Sequence, residues 1–223
     1  MSPRSTILAR EIDRLKQRIL LLGGRVESSL RQAVKAVRER DTALARSVID
    51  TDEEIDQQEV ELEEECLKIL ALHQPVAIDL RFIVAVLKIN NDLERVGDLA
   101  TNIADHAIFL SERPPIAFPF DFEAMAERVQ EMLRLSLDAL VNQSSSAAQR
   151  VRLADDEVDR LHHETYAAVE DLIRRHPEQL ESAINLIGLS RRLERVADQA
   201  TNIAEDVIYL VEGEIVRHVR PVP

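Results

Sequence analysis

Glu94, Asp98, Thr101 and Asp105 are oxygen donors spaced four, three and four residues apart, and the spacing returns as Glu194, Asp198, Thr201 and Glu205. On a helix turning about 100° per residue, each set falls within a stripe about 60° wide, with Asn102 and Asn202 at its edge. Clustered carboxylates and amide carbonyls suit a hard cation such as magnesium, manganese or iron. One helix supplies only two or three ligands, so a closed site needs a neighbouring helix or bridging ions. The competing reading is a solvated acidic face. Its like charges four residues apart cost roughly 0.2–0.5 kcal/mol per pair, and Arg95 and Arg195 ease the field. Val96, Leu99, Ile103 and Leu110 lie on the opposite side, so the stripe points away from the expected core. Spacing alone leaves both readings open.

The donors sit in a longer repeat. Residues 93–110 and 193–210 are identical at twelve of eighteen positions, polar residues included. Packing tolerates apolar exchange, so shared polar identity marks a duplicated surface or site as well as a duplicated core. AspGluGluIleAsp at 52–56 matches AspAspGluValAsp at 155–159, and the offset shrinks from 103 to 100 toward the repeated helix, as indels at loops produce. Asp52, Asp56, Glu59 and Glu63 form another acidic stripe, and Asp155, Asp159, His162 and Tyr166 take the corresponding phase. The simplest expectation is that a neighbour's Arg or Lys holds these carboxylates.

The elements that must position these residues are helices. Apolar residues from Ile12 to Val37 step by three and four, interrupted by Gly23 and Gly24 at about 1 kcal/mol each in helix propensity. Asp41 and Thr42 end this helix and cap a second that runs to about Leu72. Pro75 opens a third, reaching about Ser111. Asp121 caps a fourth, Ser144–Ser146 separate it from a fifth, and Pro177 starts a sixth. The Pro-rich segment 113–120 is the clearest break in the chain. The fold predicted is all-α: two tandem, pseudo-symmetric antiparallel three-helix bundles of six long helices, one over 1–112 and one over 121–223, joined by a linker at 113–120.

Composition narrows the function. A net charge of −13 opposes the phosphate backbone, which excludes nucleic acid as a partner. The longest apolar run, Phe82–Leu87, is too short to span a bilayer, and no secretory signal is visible. Cys66 is the lone cysteine, which rules out an internal disulfide framework and fits a reducing, cytoplasmic compartment. It reads as a small core residue, and His73 and His176, before bends, as caps or surface groups. No His-Glu-x-x-His, Gly-rich phosphate loop or Gly-x-Ser-x-Gly occurs. A ferritin-like di-iron bundle needs Glu-x-x-His on two helices, and the nearest spacing is Asp159-x-x-His162.

Gln74, Pro75, Asp79, Leu80 and Arg81, followed by LeuGluArgValGlyAsp at 93–98 with its degenerate copy at 193–198, resemble the PhoU family over most of the chain. The resemblance implies a regulator without catalysis of its own. It would restrain phosphate uptake and phosphate-starvation genes by contacting the ATPase subunit of the phosphate ABC transporter and a sensor histidine kinase. Such a protein would meet the membrane only through these partners, and a homodimer is expected. The family's Glu/Asp-x3-Asp motif falls on Glu94 and Asp98, and on Glu194 and Asp198, and implies metal ions, multinuclear clusters included, on those faces. The expected ligand set is Glu94, Asp98, Asn102 and Asp105 with Glu194, Asp198, Asn202 and Glu205. Ala197 for Gly97 and Arg191 for Asn91 predict unequal sites. The alternative is a metal-binding enzyme or storage bundle of ferritin-like type.

Overall fold

The computed structural model describes residues 3–216; residues 1, 2 and 217–223, which the expected repeat boundaries include, lie outside the described part. The described chain folds as helices α1 (Pro3–Glu39), α2 (Thr42–Asp50), α3 (Asp52–His73), α4 (Ala77–Ser111), α5 (Phe122–Asn142), α6 (Ser145–Arg175) and α7 (Leu180–Glu212), with a 3-10 turn at Pro177–Gln179 and no strand among the described residues. The all-α, pseudo-symmetric arrangement follows the hydrophobic period. Leu15, Ile19, Leu22, Val26 and Leu30 of α1 are all essentially buried, as are Leu93, Val96, Ile103 and their counterparts Leu193, Val196, Ile203.

Helix ends are set by local chemistry. Oδ1 of Asp41 accepts from the Leu44 N–H at 2.9 Å, Oδ1 of Asp121 from Ala124 at 3.0 Å, and the Ser144 hydroxyl from Ala147 at 3.2 Å. Each satisfies a donor the first helical turn leaves unpaired. One boundary differs from expectation. The helix predicted from 42 to about 72 is divided at Thr51, which closes α2 and opens α3. Its hydroxyl turns back to the carbonyls of Ser47 and Val48, both at 2.9 Å, so the side chain competes for the backbone acceptors.

α1–α4 pack as one unit and α5–α7 as the other, joined by an extensive α4–α7 contact and a smaller α1–α5 contact. Gly23 decides the latter: a Cβ there would stand 2.7 Å from Cδ2 of Leu137 on α5, whereas Gly24 faces open space. α1 stays unbroken, so Gly23 admits a neighbour and does not mark a kink. Segment 113–120 is tied down at both ends. The Arg40 guanidinium donates to the carbonyls of Leu110 and Arg113, Arg113 lies 3.4 Å over the Phe109 ring, and Phe118 stacks on Phe122 with centroids 4.7 Å apart.

α4 and α7 run antiparallel about a pseudo-twofold axis, and the two ends of their seam are closed differently. At one end Lys88 Nζ donates to Oδ1 of buried Asp206 at 2.9 Å and lies 5.3 Å from the Tyr209 ring centre. The repeat-equivalent residues, Gly188 and His106, close the other end. The imidazole fills the space a side chain would need, with Cε1 at 2.8 Å from a Cβ built on Gly188. Gly188→Ile is therefore expected to overpack the seam and destabilise the protein by about 1–3 kcal/mol. His106→Ala in the same chain should recover at least roughly 0.5 kcal/mol as coupling between neighbours. Denaturant melts of the two single variants and the double check this; strict additivity would refute the contact.

Candidate metal centre

Each unit carries a ladder of polar side chains between two antiparallel helices. In the first, Asp52 of α3 reaches toward Asp98 of α4, Asp56 and Glu59 toward Glu94, and Glu59 meets Asn90. The Asn90 amide donates to Oε1 of Glu59 and to its backbone carbonyl, both at 2.9 Å. In the second, Asp155 of α6 faces Asp198 and accepts from the Thr201 hydroxyl at 3.3 Å, Asp159 faces Glu194, and His162 Nδ1 lies 2.9 Å from the Ser190 hydroxyl. Residue for residue, at offsets of 103 and 100, the ladders correspond.

The predicted stripe thus lies against a second acidic helix as well as solvent. Glu94 and Glu194 are half-buried, while Asp98 is exposed. The expectation that a neighbour's cation holds the α3 carboxylates is overturned for Asp52 and Asp56. The arginines of α1 instead take other acids of α3: Arg25 pairs with Glu54 at 2.6 Å, and Arg18 with Glu61 at 2.7 Å and Glu65 at 2.5 Å. Among the described residues Asp52, Asp56, Asp155 and Asp159 have no ion pair, and Oδ1 of Asp52 is buried without a hydrogen-bond partner.

The electrostatics follow. Burial first, then Asp56 and Asp98, push the Asp52 carboxyl from 3.8 to about 6. Asp155 also rises to about 6, through burial and then Asp159 and Asp198, with the Thr201 hydrogen bond opposing. Asp198 reaches about 6 through burial, Glu194 and Asp159. Glu59, Glu94 and Glu194 are raised too, burial leading in each. Carboxylates that resist ionisation beside one another gain most from a cation.

The eight expected ligands do not act as one set. Glu94, Asp98, Glu194 and Asp198 stand in the ladders. Asp105 and Glu205 lie seven residues, about 10 Å, further along the same helices, beyond the reach of one ion shared with Asp98 or Asp198. Asp105 is exposed, while Glu205 lines the α4–α7 groove with Asn202 and pairs with Arg152 at 3.4 Å. The Asn102 amide donates to the Asp98 carbonyl of its own helix. Partners the sequence left undecided, Asp52, Asp56, Asp155 and Asp159, complete the ladders; their matched phase was the available signal. Among the described residues no three His, Cys, Asp or Glu groups gather closely enough to hold a single ion. The donors are spread along the two helices, and Asp52 with Asp98, and Asp155 with Asp198, are the carboxylates that would hold a bound cation and lose their mutual repulsion to it. The orphaned Asp52 oxygen and the unpaired carboxylates fit such a group.

The remaining candidate chemistry is structural. Cys66 is fully buried, and burial with Glu65 and Glu63 nearby raises its thiol to about 12. His176 ends α6 beside Glu178.

Two stacked helical units with duplicated carboxylate ladders define an all-α class built by internal repetition. The profile of the PhoU domain matches residues 19–107 and 122–207. The phosphate-specific transport system accessory protein PhoU homolog of Aquifex aeolicus is 38% identical over 95% of this chain and 96% of its own length. That of Pseudomonas putida is 37% identical over 93% and 82%. The crystal structure of PhoU from Pseudomonas aeruginosa superposes with a TM-score of 0.89 at 36% identity, covering 92% of this chain and 99% of that one. The phosphate transport system regulatory protein PhoU from Streptococcus pneumoniae gives 0.83 at 29% identity, covering 94% and 99%. The chain belongs to the PhoU family.

The raised carboxyls fix a pH response. A group near 3.8 unfolded and about 6 folded contributes most below pH 3.8, and that contribution is lost as the pH rises through about 6. Asp155→Asn keeps an acceptor for Thr201 and removes the charge. In metal-free protein it should raise the melting temperature at pH 7 and change it little at pH 4. Calorimetry at the two pH values checks this; a loss of stability at pH 7 would refute the repulsion.

Proposed function

We propose that the protein is a negative regulator of phosphate uptake and phosphate-starvation signalling. It works in the cytoplasm by binding the ATPase subunit of the phosphate ABC transporter and the cognate sensor histidine kinase, as a homodimer with metal ions on its two acidic faces. The observation that carries this reading is the duplicated carboxylate ladder within a fold whose relatives are named phosphate-specific transport system accessory proteins. No helix among the described residues is long and apolar enough to cross a membrane, which fits contact with the transporter through its peripheral subunit.

Bound cations would offset the negative charge of the ladders and so change the charge that these flanks present to a partner. The chain's own part is positional. Asn90 holds Glu59, and Ser190 holds His162. The close approach of Ile55 to Gly97 fixes the spacing between α3 and α4, and the equivalent residues of the second half, Val158 and Ala197, are both buried.

Deletion of the gene should derepress phosphate-starvation genes in phosphate-replete cells, measured with a reporter fusion. Glu94→Ala and Asp98→Ala with Glu194→Ala and Asp198→Ala should remove most bound metal by elemental analysis and reproduce part of that derepression. Unchanged expression and uptake after deletion would defeat the reading.

A further inference from the structure

We infer that the His106 end of the α4–α7 seam is a binding site for a small tetrahedral oxyanion of the phosphate class, held between the Arg192 guanidinium and the His106 imidazole. This goes beyond the regulatory reading above and needs neither a metal nor a partner protein.

The pseudo-twofold axis shows what this end lacks. At the opposite end the chain supplies its own carboxylates: Asp206, 2% exposed, takes the Lys88 ammonium at 2.9 Å, and Asp92 is buried on α4. The equivalent positions here hold His106 in place of Asp206 and Arg192 in place of Asp92. Two acids at one end correspond to two bases at the other, and Gly188 stands where the first half has Lys88.

The backbone brings these bases together. His106 occupies the space beside Gly188, with Cε1 2.8 Å and Nε2 3.3 Å from a Cβ built there. Arg192 follows Gly188 by four residues, so it rises from the same face of α7 one turn further on. Its Cβ tilts toward the helix N-terminus, which carries the side chain back toward the imidazole. His106, Arg192 and Asn185 are each half-buried. Among the described residues Arg192 has no ion pair, and its Nε is buried without a hydrogen-bond partner. A guanidinium partly withdrawn from water without a counter-anion is left uncompensated. The exposed Arg191 and Arg195 add to the positive field on the same stretch of α7.

The imidazole is placed to answer an anion. Burial holds its pKa below the usual value; the Asn185 side chain opposes this, Arg192 adds to it, and the exposed Asp105 on its own helix opposes it. Asn185 stands beside the ring yet short of hydrogen-bond geometry, its Oδ1 buried without a partner. An oxyanion seated against Arg192 reverses the balance. The ring then takes up a proton, donates one N–H to the anion and offers the other to Oδ1 of Asn185. An arginine fork matches a tetrahedral oxyanion in shape as well as charge, and an anion held this way bridges α4 to α7.

The test uses the full chain in buffer free of phosphate and sulfate. It is titrated with inorganic phosphate, with sodium chloride at equal ionic strength, and with O-phosphoserine. Histidine ring NMR follows His106, its signal assigned by its loss in His106→Gln. Phosphate should shift that signal saturably and raise its titration midpoint, while chloride leaves both in place. Arg192→Gln should weaken the phosphate response at least about tenfold, whereas Arg191→Gln, at an exposed neighbour, should change it by less than about threefold. A chloride response equal to that of phosphate, or an unchanged phosphate response in Arg192→Gln, overturns the site. Tighter binding of O-phosphoserine overturns the free ion as its ligand. The wild-type spectra test the site without any variant, and circular dichroism shows whether Arg192→Gln keeps its fold. None of these outcomes depends on metal uptake or on repression in cells, so the regulatory reading stands or falls separately.

Discussion

Apolar packing brings like charges together in this protein. α3 lies on α4 because Ile55, Leu62, Cys66 and Ile69 are buried with Ile89, Leu93 and Val96, and burying side chains of this size is worth roughly 1.5–3 kcal/mol each. Carboxylates at the margin of that seam have no comparable energy with which to separate. Burial and mutual repulsion raise the carboxyls of Asp52 and Asp155 to about 6, a smaller cost than opening the whole apolar seam, so packing wins and the acids stay opposed. The same balance operates between α6 and α7. Each ladder is thus a by-product of core registry, and its acidity is maintained by helices that cannot slide apart.

The two halves reach this balance with different atoms. At the crossing nearest Asp52, the first half sets Ile55 by Gly97, where an added Cβ would meet the Ile55 methyl at 3.2 Å. The equivalent residues of the second half are Val158 and Ala197, both buried. One methylene has moved from one helix to the other while the sum is kept, as cores of fixed volume demand. The polar edge varied more freely: Glu59 with Asn90 in one half, His162 with Ser190 in the other.

Much of this was legible in the chain. Helix ends at Asp41, Asp121 and Ser144 were readable because a capping side chain acts on N–H groups two or three residues away. The break at Thr51 was not. Thr51 keeps near-helical angles, φ −85° and ψ −7°, so the apolar period runs through the corner with little disturbance. The phase of Glu94 and Asp98 was readable from 3.6-residue geometry, but what they face was not, because helix pairing is long-range. The cation expected to hold the carboxylates of α3 carried no residue number, and only the docking of α1 shows that Arg18 and Arg25 reach Glu61, Glu65 and Glu54. Helical phase likewise grouped Glu205 with Asp198, although Arg152, more than fifty residues earlier, claims it.

The seam between α4 and α7 bears on how a duplicated protein comes to need both copies. Two identical halves meeting about a twofold axis would repeat every contact, so Lys88 would find its counterpart lysine's partner on each side. Here lysine meets aspartate at one end and histidine fills a glycine's space at the other. A pairing of two first halves would set Lys88 against His106 at both ends, and two second halves would leave Asp206 facing Gly188, a buried carboxylate without its lysine. Each copy has become the wrong partner for itself. The covalent link through 113–120 therefore joins pieces that already select one another, and the asymmetry carried by the ladders is protected from being averaged away by exchange between chains.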